Sequence, residues 1–444
     1  MLRVLANRTY RHLFLAQIIA LIGAGLATVA LGLLAYDIAG GNAGAVLGTA
    51  LAIKMLAYIG VAPIAGAFAD RVPRKALLVA LDLVRAGVAL FLPFVTQVWQ
   101  VYLLIFVLQS ASAAFTPTFQ ATIPDVLPEE ADYTRALSLS RLAYDMETLT
   151  SPILAAALLT LINFHWLFSG TAVGFLASAA LVLTSGLPKA VAAAKRDGGI
   201  YDKTTRGMRI YLKTPRLRGL LAVTLAAAAA SAMVIVNTVV IVRGLGLGQR
   251  EVALTLAAFG GGSMLAAFAL PRILDRLSDR MVMLCASAAL VLVLGALTAL
   301  SAATSAGQSY WHLLLGGWVV LGVAYSMSIT PGGRLLRRSA NAEDRPALFA
   351  AQFALTHVCW LIAYPLAGQV GAKVGMAAAF GGTALLATAG LISALLLWPV
   401  HDPEAVSHTH DDLAPDHPHR REPHDDGGTH DFVIDDLHRH WPRS

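Results

Sequence analysis

The chain has 444 residues, of which 57% are hydrophobic and only 14% are charged, and its formal net charge is +6. A soluble domain carries about 25% charged residues, so this composition excludes a water-soluble globular protein and predicts an all-α membrane protein. The only two cysteines, Cys285 and Cys359, lie in apolar runs, which excludes a disulfide framework or a thiolate metal cluster. The Lys and Arg residues border the apolar segments, which is typical of membrane topology signals and not of nucleic acid binding.

Twelve apolar stretches are long enough to cross a hydrocarbon core of about 30 Å as helices. The first follows a basic N-terminus and is too long for the apolar core of a cleaved secretory signal. The predicted spans form two groups of six: 12–36, 44–68, 76–95, 99–121, 138–161 and 165–187, then 217–242, 251–274, 281–303, 310–331, 347–370 and 375–399. The predicted regions are six-helix bundles at 1–187 and 217–399, a basic linker at 188–216 and a disordered His/Asp-rich tail at 400–444.

The loop charges agree with an even number of spans. Outside the tail, 23 Lys and Arg residues fall in segments on the side of the N-terminus, whereas the opposite loops hold three, Arg243, Arg250 and Lys373. The positive-inside rule then predicts that both termini and the linker are cytoplasmic, in a bacterial cytoplasmic (inner) membrane. The fifth and eleventh spans each follow a charged loop and contain a proline at matching depth, Pro152 and Pro365, so the two bundles are predicted to be pseudo-symmetric.

The loop between the second and third spans carries a motif. From Gly66 to Lys75 it reads G-A-F-A-D-R-V-P-R-K, which resembles the G-x-x-x-D-R-x-G-R-R/K motif of the major facilitator superfamily, with Pro73 in the place of the family's glycine. The resemblance implies the major facilitator fold. It also implies a loop whose contacts across the two bundles break when the bundles rock. The candidate residues of this conformational gate are Gly66, Asp70, Arg71, Arg74 and Lys75.

The fifth span contains three ionisable residues, Arg141, Asp145 and Glu147. Each ionisable residue costs about 2.5–3.5 kcal/mol at the bilayer centre on insertion scales, so such residues indicate function. Arg141 and Asp145 are four residues apart and can form a purely structural ion pair. Glu147 lies about 200° round the helix from Asp145, so Arg141 cannot neutralise both carboxylates, and one of them is predicted to bind substrate or a proton.

The eleventh span supplies the matching residues of the second bundle. When Pro152 is aligned with Pro365, His357 and Cys359 fall at the depth of the two carboxylates. The combined set predicts a transition-metal and proton site at the bundle interface, and its members are Asp145, Glu147, His357 and Cys359. A histidine or cysteine that simply packs against a neighbouring helix is the alternative. Lys54 of the second span and Asp37 at the outer end of the first span are weaker candidates for a gate or counter-ion.

The C-terminal tail has its own composition. It holds nine of the 13 histidines, and its eleven Asp and Glu residues outnumber four Arg residues. Histidine-rich tracts are typical of metal binding, and the candidate ligands are His408, His410, His417, His419, His424, His430, His438 and His440. The alternative is a solvated acidic tail, or one that docks electrostatically onto the basic linker.

The tail and the fifth and eleventh spans resemble the nickel-resistance exporters of the superfamily, and the fourth and fifth spans also resemble its drug and siderophore exporters. The favoured hypothesis is therefore a secondary active, proton-coupled exporter of a divalent transition metal, nickel or cobalt. The alternatives are proton-coupled efflux of an organic solute and a transporter-like metal sensor. The chain lacks a phosphate-binding G-x-x-x-x-G-K-[ST] loop, so we expect no ATP-driven pump, no enzyme and no cofactor. The expected partners are a metal ion, protons and the lipid bilayer, with no nucleic acid, and the expected state is a monomer.

Overall fold

The computed structural model describes residues 2–68, 73–187, 200–303, 308–341 and 344–400, with 405–407, 429–431, 433–434, 438 and 441 of the tail. The first bundle consists of α1 (Arg8–Ala39), α2 (Ala43–Phe68), α3 (Arg74–Phe91), α4 (Val98–Val126), α5 (Glu130–Leu158) and α6 (His165–Thr184). The second consists of α8 (Pro215–Gly244), α9 (Gln249–Leu274), α10 (Asp279–Ala303), α11 (Gln308–Ile329), α13 (Arg345–Lys373) and α14 (Met376–Leu397). The shorter elements are α7 (Ile200–Lys213), α12 (Gly332–Arg337), β1 (Ala405–Ser407) and β2 (Thr429–Asp431), with short 3-10 helices at Leu2–Ala6, Gly40–Asn42 and Leu92–Phe94.

The twelve long helices correspond to the twelve predicted spans. Ten segments of the described chain are long and apolar enough to cross a membrane, and one of them, Arg8–Val61, contains both α1 and most of α2. Eleven of the long helices therefore qualify within the described residues. The remaining helix, α5, carries the ionisable residues Arg141, Asp145 and Glu147. The prediction of an all-α, multi-pass membrane architecture is confirmed.

A buried ion pair holds α3 inside the first bundle. Asp82 is fully buried and pairs with Arg85, and the Ser178 hydroxyl of α6 donates to Asp82 Oδ2 at 2.7 Å. The Arg85 guanidinium lies 4.1 Å from the ring centroid of Phe115 and 4.5 Å from that of Phe175. Cation–π contacts and the carboxylate together compensate for the removal of the guanidinium from water.

The two bundles are in contact through the middle of the molecule and on one of its two sides. We call the side on which α1 begins the near side and the opposite one the far side. Most of the described apolar core is one cluster that contains residues of both bundles. Two smaller clusters near the helix ends of the near side are separate, one with residues of the first bundle and one with residues of the second bundle and α7. The described cores are thus joined through the middle and far side and divided on the near side.

The predicted linker, 188–216, contains α7, which packs on the second bundle. The Arg206 guanidinium pairs with Asp344 at 2.6 Å, and the Tyr211 hydroxyl donates to Gln352 of α13. Ile210 and Tyr211 are buried in the same near-side cluster as the ends of α8 and α14. The basic charge of this segment predicted its side of the membrane but not its packing.

The tail was predicted to be disordered, and its described residues differ from that expectation. Strands β1 and β2 pair antiparallel, with Ala405 opposite Asp431 and Ser407 opposite Thr429. Beyond them, Ile434 is buried in the near-side cluster of the second bundle, and the Arg216 guanidinium lies 5.1 Å from the Trp441 ring centroid. Apolar residues at the end of an otherwise polar segment explain this docking, because they bury surface that the polar residues cannot.

Candidate transport site between the two bundles

Glu147 lies where α5 packs against α1. A Cβ atom placed on Gly25 of α1 would lie 2.7 Å from Glu147 Oε1 and would overlap Ser151, one turn further along α5. Gly25 therefore allows the two helices to approach closely around the carboxylate. The Ser151 hydroxyl is buried and has no hydrogen-bond partner among the described residues.

Lys54 of α2 provides a positive charge next to this carboxylate. Its ammonium interacts electrostatically with Glu147 and with His357 of α13. Both side chains are partly buried, and a lysine and a carboxylate that are partly removed from water each cost less when they compensate each other. Of the four predicted site residues, Glu147 and His357 each lie within electrostatic range of Lys54, a residue that the sequence pattern ranked as a weaker candidate.

His357 is part of an aromatic stack that joins the bundles. Its ring stacks on Tyr58 of α2, with ring centroids 5.1 Å apart and ring planes 11° apart. The centroid of the Phe353 ring lies 4.1 Å from that of His357. His357 Nδ1 lies 2.7 Å from the Phe353 carbonyl oxygen. That bond requires a proton on Nδ1, which leaves Nε2 of a neutral ring as an acceptor.

Cys359 does not lie with His357. It is buried in the apolar core cluster that contains residues of both bundles. Two residues along a helix turn the side chain by about 200°, so the two side chains cannot share one site on α13. Within the described residues, no group of three His, Cys, Asp or Glu side chains converges as a metal site would require.

Asp145 belongs to α5, but its side chain lies outside the described residues, as does that of Arg141. Of the tail histidines, His438 is buried, and His430 lies opposite Val406 in the β1–β2 pair. The other predicted tail ligands, His408, His410, His417, His419, His424 and His440, lie outside the described residues.

The predicted gate is partly visible. Gly66 lies in the last turn of α2, while Asp70 and Arg71 lie outside the described residues. Arg74 pairs with Asp125 at the end of α4, and the Lys75 ammonium donates to the Ser185 carbonyl after α6 at 2.9 Å. These two basic residues therefore tie the start of α3 to other helices of the same bundle.

Contacts on the far side close the interface above the candidate site. The Gln369 amide donates to Thr49 Oγ1 at 3.2 Å, and the Arg243 guanidinium lies 5.5 Å from the ring centroid of Tyr36. A Cβ atom on Gly48 of α2 would lie 2.6 Å from the Tyr364 carbonyl oxygen, and one on Gly368 would overlap the Gly44 carbonyl. These contacts join α1 and α2 to α8 and α13, so the far side is closed in this structure.

Sequence reasoning underrated Lys54 and did not single out Tyr58 and Phe353. A signal for Lys54 was available, because it is an ionisable residue inside an apolar span. The aromatic residues carried no signal, since tyrosine and phenylalanine are ordinary in membrane helices.

Comparison with known proteins agrees with this architecture. The Major Facilitator Superfamily model matches residues 13–301 and 219–422. The chain is 28% identical over 127 residues to an uncharacterized MFS-type transporter, YfiS, of Bacillus subtilis (strain 168), covering 29% of this chain and 30% of that protein. It is 26% identical over 153 residues to macrolide efflux protein A of Enterococcus faecalis, covering 32% of this chain and 47% of that protein. The matches therefore span less than half the length of these relatives.

Solved structures share the fold at low sequence identity. The nucleoside transporter NupG superposes with a TM-score of 0.63 at 14% identity, covering 88% of this chain and 98% of that one. A bacterial homolog of the human lysosomal transporter Spinster, in an inward-facing and unoccupied conformation, gives 0.63 at 13% identity and covers 88% and 94%. The D-xylose-proton symporter gives 0.60 at 13% identity and covers 88% and 96%. With a family model that matches most of its length, the chain belongs to the Major Facilitator Superfamily.

Proposed function

We infer that this transporter exports an organic solute in exchange for protons by alternating access. The observation that carries the proposal is the composition of the site between the bundles, where Lys54, one turn before Tyr58 on α2, lies within electrostatic range of Glu147 and of His357 in the Tyr58–His357–Phe353 stack. Aromatic faces bind the apolar body of an organic solute, and a few polar groups fix its orientation. A compact hydrated ion makes no comparable apolar contact with aromatic faces.

The far-side contacts support an inward-facing state for this structure. If the near side is cytoplasmic, as the loop charges predict, the structure is closed to the outside, and its divided near-side cores correspond to an inward-facing state. Solute binds against the aromatic stack while Glu147 is ionised and balanced by Lys54. The bundles then rock, Glu147 takes a proton from outside, and the solute leaves. Because Tyr58 and His357 belong to different bundles, their stack must rearrange in this step.

The direction of transport is supported by the relatives. Matched sequences from Enterococcus faecalis and Streptococcus pyogenes are both named macrolide efflux protein A. The alignment covers a third of this chain, so these names support efflux of an organic solute as a class and do not identify the solute.

A second candidate is export of a divalent transition metal such as nickel or cobalt. The observation that favours it is the tail, which holds nine of the 13 histidines. In that case Asp145 or Glu147 would bind the ion with His357, and the tail would collect or sense cytosolic metal. Cys359 is about 200° round α13 from His357, so the predicted thiolate ligand would not contribute.

Everted membrane vesicles with an acidic interior distinguish the two candidates. We expect vesicles that contain the wild-type chain to accumulate a radiolabelled macrolide or a lipophilic dye and to exclude labelled nickel. Glu147→Gln keeps the size of the side chain but cannot exchange a proton at this pH, so accumulation should fall at least tenfold. The matched control is Glu129→Gln, which makes the same change at an exposed carboxylate where α5 begins.

Accumulation of nickel, lost in Glu147→Gln and kept in Glu129→Gln, would replace the organic solute with a metal. Equal loss in the two variants would show that Glu147 has no specific role. Gradient-driven accumulation that survives in Glu147→Gln would refute coupling through this carboxylate.

A further inference from the structure

A basic recess opens on the near side of the second bundle, away from the site between the bundles. It has a volume of about 230 Å³ and lies where α9 ends, α10 begins, α12 follows α11, and α14 ends. Its lining residues are Leu274, Leu277, Ser278, Asp279, Arg280, Arg334, Arg338 and Val400. Three arginines against one aspartate give the lining a net charge of +2.

The arginines of the basic recess are held by different partners. Arg280 Nε donates to the Trp398 carbonyl oxygen at 3.2 Å, which fixes the side chain beside the end of α14. Arg334 is more than half exposed, and its Nε lies 3.7 Å from Oδ1 of the buried Asp279. That distance is too long for a hydrogen bond, and the half-exposed Arg334 side chain remains accessible in the lining of the recess. Guanidinium groups with several donors in one plane suit the oxygens of a phosphate.

Apolar residues adjoin the same arginines. Leu277 is 42% exposed, Val400 is 75% exposed, and Met281, one turn into α10, is 51% exposed. The recess therefore combines a cationic part with an exposed apolar rim, at the ends of helices long and apolar enough to cross a membrane. Basic pockets between helices on the cytoplasmic side typically bind anionic lipid headgroups.

We propose that the basic recess binds the phosphate headgroup of an anionic phospholipid of the inner leaflet, with its acyl chains along Leu277, Met281 and Val400. A phosphodiester bears one negative charge and offers oxygen acceptors to the arginines, and Ser278 lies beside them as a further hydroxyl partner. Asp279 balances Arg334 and keeps the recess from holding a more highly charged anion tightly. A lipid in this place links α9, α10 and α12 to the end of α14.

The experiment uses the full chain, purified in mild detergent and mixed with phosphatidylglycerol or phosphatidylcholine, with bound lipid counted by native mass spectrometry. We expect retained phosphatidylglycerol in the wild type and little phosphatidylcholine. In Arg334→Gln/Arg338→Gln the affinity for phosphatidylglycerol should drop roughly fivefold per arginine, which corresponds to about 1 kcal/mol each. The matched control is Arg272→Gln/Arg276→Gln, which removes two exposed arginines from the same end of α9 outside the recess.

Equal losses in the two double variants would refute a specific site and leave only diffuse charge attraction. A wild type that retains both lipids equally would refute recognition of the phosphate charge. Competition by millimolar glycerol phosphate would show that a free phosphate suffices and would overturn the lipid as ligand. A wild type without bound lipid, whose tail becomes protease-sensitive only in Arg334→Gln/Arg338→Gln, would show that the acidic tail occupies the recess instead.

Discussion

Gly25 is the point at which the backbone of α1 meets the carboxylate of α5. Gly25→Ala should push the two helices apart, because its Cβ would overlap Ser151 and lie 2.7 Å from Glu147 Oε1. Overpacking of this kind costs about 1–3 kcal/mol, so we expect a lower melting temperature in detergent and a loss of transport. Ser151→Gly in the same chain removes the overlapping atoms and should restore part of both.

Gly60→Ala is the matched control, since a Cβ atom on Gly60 of α2 would meet nothing within 4 Å. There the added methyl group should be neutral or slightly stabilising, because alanine favours helix more than glycine does. If Gly25→Ala behaved like Gly60→Ala, the close packing of α1 against Glu147 would be wrong.

Individual side chains also show where the sequence was sufficient and where it was not. The angle of about 200° between residues two apart separates Asp145 from Glu147, and the same angle separates His357 from Cys359. Applied to both pairs, this angle excludes Cys359 from a site shared with His357 on helical geometry alone. The proximity of Lys54 to Glu147 and His357 depends instead on the packing of three helices, which no local pattern encodes.

Among the elements, α2 and α13 make the close contact of the far side. Gly368→Ala should prevent it, since the new Cβ would overlap the Gly44 carbonyl. A penalty of about 1–3 kcal/mol shifts a two-state equilibrium by roughly 5- to 150-fold, here toward the state that is open on the far side. A single reporter cysteine, Thr49→Cys with Cys285 and Cys359 replaced by serine, should then react faster with a membrane-impermeant maleimide applied from that side.

The comparison for this test is Gly295→Ala in α10, where a Cβ atom has open space around it. Faster labelling in both variants would indicate general loosening of the protein. Unchanged labelling in Gly368→Ala would mean that the contact of α2 with α13 does not control access from the far side.

The bounds of the helices could be predicted from the sequence because long apolar runs and charged loops alternate along the chain. Their neighbours could not, because a membrane helix is apolar on the faces toward lipid and toward protein. The packing of the short helices α7 and α12 could not be predicted either, for a different reason. They are polar and basic, so composition placed them outside the membrane without indicating the surface on which they pack.

At the scale of the whole molecule, the far-side closure should be one state of a moving pair of bundles. A chain with Thr49→Cys and Gln369→Cys in the same serine background joins positions whose native side chains lie 3.2 Å apart. We expect a short bifunctional thiol reagent to couple the two cysteines and stop transport by holding the far side closed, and a reducible version of that reagent to allow recovery on reduction. Either single cysteine should leave transport insensitive to the reagent, and full transport after coupling would refute alternating access through this interface.

The docking of α7 changes how the two bundles are tethered. Because Arg206 and Tyr211 attach this helix to the second bundle, the connection between bundles shortens from the 29 residues at 188–216 to the twelve at 188–199. Twelve residues reach at most about 40 Å when fully extended. The first bundle is therefore connected by a short segment to a unit that consists of the second bundle and α7. A version of the protein made as two separate chains should accordingly be divided before Ile200, so that α7 stays with the helices it packs on.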